Sequence, residues 1–192
     1  MNNKNIDLND VFILSVPLGE KPYFARLESP ILGFDELRRG QMQLSEPCLF
    51  KIWKGRRLCD FIGNGALLVV ASHVVELWKT SCFTGFMTYP AIVLDRKGQV
   101  LPGDYYVIGI TGRAGTLDRA NMKIEPNGII LPGASPDMLR FHPEQWDGSD
   151  FFMLEDVDFS LVTRRVIDVM KLNKITGWMT MPIMGLHPFA KF

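Results

Sequence analysis

Apolar residues fall twice along this chain into one spacing. Val70, Val74, Leu77 and Trp78 sit at i, i+4, i+7 and i+8, and so do Val162, Val166, Val169 and Met170. That period predicts two helices, each with a single apolar stripe. The stripes belong to stretches that align without a gap, "VVASHVVELWKTSCFTGFMTYP" (69–90) and "LVTRRVIDVMKLNKITGWMTMP" (161–182). Lys79 and Lys171, Thr84-Gly85 and Thr176-Gly177, Met87-Thr88 and Met179-Thr180, and Pro90 and Pro182 coincide. After each helix the glycine suits a turn, an aromatic-rich strand follows, and the proline ends that strand or places it at an edge. Ser72 is a candidate cap for the first helix. In the second copy Thr163 aligns with Ala71, one position off, and no capping box is present.

Elsewhere the pattern is that of strands. "VFILSVP" and "KPYFARL" are apolar runs parted by a turn-like "LGE". "GFDELRRG" predicts a short helix closed by Gly40, its acids early and its arginines late as the helix dipole prefers. "LFKIWKG" alternates apolar and basic residues and reads as a strand ending at Gly55. "DFIGNGALLVV" supplies a short strand and an apolar run ahead of the first repeated helix. Between the copies, "GDYYVIGIT", "NGIILPG" and, more weakly, "MLRFHP" are strand candidates. The expectation is one compact α+β domain over 1–192: a strand-rich part at 1–58, strand-helix-strand units at 60–92 and 150–184, and a β-rich insert at 93–149. Both units are expected around one sheet system.

Composition narrows the class. The chain has 192 residues, 47% hydrophobic and 22% charged, which is ordinary for a globular domain with a real core. Formal net charge is zero, so no global field draws it to nucleic acid or an anionic membrane. "VFILSVPLG" is too short to span a bilayer and follows acids rather than a basic region, which argues against a signal peptide. A cytoplasmic protein is expected. Cys48, Cys59 and Cys82 are odd in number and lack metal-type spacing, so they read as reduced thiols.

Candidate chemistry is sparse. His73, His142 and His187 lie at no ligand spacing, and no HExxH or G-x-S-x-G pattern occurs. "GNG" at 63–65 and "GRAG" at 112–115 complete neither a dinucleotide fingerprint nor a P-loop, and read as turns. No metal and no cofactor is expected. One charge feature stands out: Asp137, Glu144, Asp147, Asp150, Glu155, Asp156 and Asp158, with Arg140 the only base among them. Such a run is either a set of solvated loops or a face that steers a cationic partner. Glu144, Asp147, Asp150, Glu155, Asp156 and Asp158 are the candidate partner-binding residues. Lys51, Lys54, Arg56 and Arg57, with Trp53 among them, read as a solvated strand face.

The stretches "DFIGNGALLVVASHVVELWKTSCFTGFMTYP", "DYYVIGI" and "SDFFMLEDVDFSLVTRRVIDVMKLNKITGWMTMPI" together resemble a family of bacterial immunity proteins. This is immunity family eleven, formerly a domain of unknown function, encoded beside polymorphic toxins. The resemblance covers most of 60–183, and the first sixty residues share only general character. The two copies depart from one another at Ser72-His73 against Arg164-Arg165. It implies a non-catalytic protein that binds and neutralises a cognate toxin in the producing cell; the acidic run, separately, suits a basic, nuclease-like toxin. The resemblance carries over no binding residues, because the matching positions have core and turn character. Two other readings stand beside it. One is an enzyme whose site is assembled from scattered residues, with His142, Glu144, Asp147 and Asp150 the nearest cluster. The other is a non-catalytic assembly partner in a secretion locus.

Overall fold

The structure is a computed structural model that describes residues 6–17, 22–29, 33–64, 67–118 and 140–184. The N-terminal runs form β1 (Val11–Ser15) and β2 (Phe24–Leu27). α1 (Phe34–Arg38) follows, with Asp35 and Glu36 in its first turn and Arg38 in its last. β3 (Cys48–Lys54) buries Cys48, Phe50 and Ile52 on alternate positions. The first unit then runs β4 (Phe61–Gly63), β5 (Leu68–Ala71), α2 (Ser72–Thr80) and β6 (Phe86–Leu94). β7 (Tyr105–Ile110) and β8 (Gly112–Arg113) lead to the second unit, β9 (Phe151–Met153), β10 (Leu161–Thr163), α3 (Arg164–Leu172) and β11 (Met179–Pro182). Candidate strand 127–133 lies outside the described residues. From "MLRFHP", Phe141 makes a single bridge with Leu117.

These elements form one compact α+β domain, but with two sheets rather than one. One sheet is a closed six-stranded barrel in the order β2-β3-β6-β7-β5-β4, and the other is open, in the order β11-β1-β10-β9-β8. Five strands of the barrel, β6-β7-β5-β4-β2, match the open sheet strand for strand, and β3 is the addition that closes the barrel. The match extends to register. Tyr106 of β7 lies between Val70 and Pro90, and Phe12 of β1 lies between Val162 and Pro182. β1 is therefore the counterpart of β7. Each precedes its own unit in the chain and is built into the sheet of the other unit. The two halves exchange their first strands, so β7 is a repeat strand and not part of an insert.

Long-range pairing also shifts the helix starts. Val70 and Val162 belong to β5 and β10, and the helices begin one residue after Ala71 and Thr163, neither of which makes a side-chain cap bond. Ser72 is the first helical residue, not the cap. The buried stripes are Val74, Val75 and Trp78 on α2, and Val166, Ile167 and Met170 on α3. They meet in one central cluster with Phe61, Phe151, Val70 and Val162, so equivalent residues of both copies share a core. Phe50, Ile52, Ile62, Val69, Tyr89 and Val107 fill the barrel. Pro90 does not end its strand, since β6 continues to Leu94. β3 joins β6 only from Ala91 onward, so the ladder on that side starts past the proline.

The units are also tied by a crossed set of hydrogen bonds. The Asp60 carboxylate accepts from the Thr176 amide and hydroxyl, both at 2.7 Å, while the Phe61 amide donates to the Thr176 carbonyl at 3.1 Å. Its counterpart Asp150 accepts from the Thr84 amide at 3.1 Å, and the Phe151 amide donates to the Thr84 carbonyl at 3.0 Å. The glycines that follow these threonines have φ near +85° and +83°. A Cβ at Gly177 would lie 2.7 Å from the Phe61 carbonyl oxygen, and one at Gly85 would collide with that of Phe151. Glycine is required twice, for one reason: the backbones of the two halves touch there.

Candidate functional site

The fold disperses the acidic stretch and brings arginines to it that the linear window does not contain. Asp158 pairs with Arg38 and, at 3.4 Å, with Arg39, both from the α1 end of the barrel. Arg39 also donates to the Glu155 carbonyl at 3.1 Å, and the Glu155 side chain is exposed. Asp147 accepts from the Arg113 amide at 2.8 Å and the Ser149 amide at 2.9 Å, and Asp156 accepts from the Leu117 amide at 3.0 Å. Asp150 is 8% exposed and holds Thr84 and Arg165, the latter at 3.3 Å. Glu144 is exposed, 3.4 Å from His142 Nδ1. Most of these carboxylates thus cap loops or join the barrel to the open sheet. Asp137 lies outside the described residues.

Nor does the stretch assemble an acid–base site. Of His142, Glu144, Asp147 and Asp150, the first two contact each other, while Asp147 accepts from the Arg113 amide and Asp150 from the Thr84 amide. A denser cluster arises where sequence spacing gave no signal. Cys59, Asp60, Ser72, His73, Asp104 and Tyr105 line a cleft at the start of α2, and His73 Nε2 lies 3.0 Å from Asp60 Oδ1. A carboxylate that orients an imidazole is a frequent catalytic part. Here the second copy supplies a comparison. Arg165 occupies the position of His73 and pairs with Asp150, while Ser149 occupies that of Cys59. The carboxylates make the same threonine bonds in both copies, so the contact to His73 or Arg165 reads as part of the interlock. Among the described residues no group of three His, Cys, Asp or Glu side chains could hold a metal ion.

The accessible surface is most distinctive on the barrel exterior. Trp53 of β3 is 51% exposed. The Lys54 ammonium lies 4.8 Å from the Trp53 ring centroid and 4.9 Å from that of Phe24, and the Arg26 guanidinium lies 5.9 Å from Trp53. Phe24 meets the indole edge-to-face at 6.2 Å. The registers place Arg26, Lys51 and Leu94 in one row across β2, β3 and β6, with Val100 bridged beyond Leu94. Leu49 and Ile92 form the next row. Ile92 and Val100 are exposed at 38% and 66%. An apolar strip therefore lies beside a cationic, aromatic one. The alternation in "LFKIWKG" signals the basic half. Leu94 and Val100 could not be found that way, because pairing with a distant strand puts them there.

The thiols differ sharply in environment. Cys48 is buried, and desolvation pushes it up to about 11, whereas Cys82 is exposed. Among the described residues, no helix is long and apolar enough to cross a membrane. Compared with known proteins, the chain matches no family model and no curated protein.

Proposed function

We propose that this chain is a non-catalytic binding protein that neutralises a cognate bacterial toxin in the cell that makes it. The observation that supports the reading is the paired interlock. The place where potential catalytic side chains converge, Asp60 with His73, recurs as Asp150 with Arg165, with the same backbone and threonine bonds. An arginine, always charged, cannot act as a proton shuttle, so a contact kept in both forms serves the scaffold. The residues that carry the resemblance to immunity family eleven are these same core, turn and interlock positions. That leaves the exposed surface free to specialise for a partner, as tight inhibition through a standard-size interface requires.

Co-expression with the product of the adjacent upstream gene tests the proposal. Growth restored together with a stable stoichiometric complex supports it. A neighbour that is harmless alone, or that stays lethal beside soluble protein, removes it.

A further inference from the structure

We infer that the barrel exterior around Trp53 is a docking surface for an acidic protein partner. This goes beyond the neutralisation reading: it concerns which face binds and what chemistry it takes, and the partner need not be a toxin. Arg26, Lys51 and Lys54 surround the indole, and Arg96 and Lys97 line the depression next to it. The acid in that depression, Asp95, accepts from the Lys97 and Gln99 amides at 2.8 Å each, which ties its carboxylate into its own turn. Glu28 lies beside Arg26 and Lys51, so the face carries the acids Glu28 and Asp95 against Arg26, Lys51, Lys54, Arg56, Arg96 and Lys97, an excess of positive charge. Cation–π contacts and the edge of Phe24 hold Trp53 in place before any partner arrives, which lowers the ordering cost of binding.

Two features favour a protein over the other anionic macromolecules. The ring of Trp53 is already engaged by Lys54 and Arg26, so its π-face is a poor platform for stacking a base. The apolar residues Leu49, Ile92 and Leu94 lie along strands, and Val100 is bridged to Leu94, which differs from the amphipathic helix that enters a lipid interface. A flat apolar strip beside a rim of cations and one aromatic anchor is the anatomy of a protein–protein interface.

The test titrates the full chain with a short peptide alternating Glu and Leu, following the Trp53 indole N–H resonance. The Trp53→Phe variant assigns that resonance, and circular dichroism confirms that each variant is folded. Saturable binding that shifts it is expected, with affinity reduced about tenfold or more by Lys51→Glu, by Lys54→Glu and by Trp53→Ala. Asp168→Asn, on the exposed side of α3, should leave the affinity unchanged. Absence of peptide binding, or binding indifferent to Lys51→Glu and Trp53→Ala, overturns the inference. So does preferential binding of oligo-dT or phosphatidylglycerol vesicles at this face. The outcome separates from that of the co-expression experiment. Rescue together with an absence of peptide binding removes this surface and keeps the function, and peptide binding without rescue does the reverse.

Discussion

Asp60 and Asp150 perform one task from opposite copies, each holding the threonine of the other unit. Hydrogen bonds to a charged acceptor are worth about 1.5–3 kcal/mol, and losing one leaves buried donors unpaired. Asp150→Ala is expected to lower stability by about 2–3 kcal/mol, read from the urea midpoint at unchanged slope. His73→Arg, which copies the second unit into the first, should change stability by less than about 0.5 kcal/mol and leave neutralisation intact. Loss of neutralisation in folded His73→Arg would instead give the imidazole a direct role. Burial of Cys48 gives a pH prediction. Its pKa is raised from 9.0 to about 11 in the fold, so its contribution is fully present below pH 9 and is lost as pH rises toward 11. Burial raises Tyr89 and Tyr105 in the same direction. The urea midpoint should therefore fall between pH 9 and 11, and Cys82 should react with a thiol reagent in the native state before Cys48 does. The sequence displays both Asp-Phe and both Thr-Gly pairs, but not that each aspartate takes the other unit's threonine. That crossing depends on contacts between residues more than sixty positions apart.

At the level of elements, the strand exchange is the main structural fact. β1 lies between β10 and β11, with Ile13 opposite both Leu161 and Met181. Ile13→Pro removes a donor from the centre of a sheet and should cost about 3 kcal/mol or more by urea denaturation. A circular permutant that begins before β2 and carries β1 after β11 should keep its circular dichroism spectrum, because β1 would then follow β11 as β7 follows β6. A cost near zero for Ile13→Pro would place β1 outside the sheet. The helices, β1, β3 and β7 are legible from local periodicity. The helix starts are not, because Val70 and Val162 suit a helical stripe and a buried strand equally well. The division into two sheets is also hidden, since it follows from β1 and β7 pairing away from their own units.

For the whole molecule, neutral net charge conceals local order. Within the acidic run near the second unit, Asp158 pairs with Arg38 and Arg39 and Asp150 with Arg165, all brought in by the fold, while the β2–β3–β6 face keeps its cations around an exposed tryptophan. A linear window reads the first as a patch and the second as an ordinary strand face, because charge balance in space is set by tertiary contacts. The central claim is that the molecule acts by binding a partner and not by turnover. Titration calorimetry of the purified chain against the purified product of the adjacent gene tests it most directly. The account predicts a single saturable transition at one-to-one stoichiometry, in the nanomolar range or tighter for an interface of standard size. The absence of any binding heat between two folded proteins, confirmed by their separate elution in size-exclusion chromatography, would contradict it.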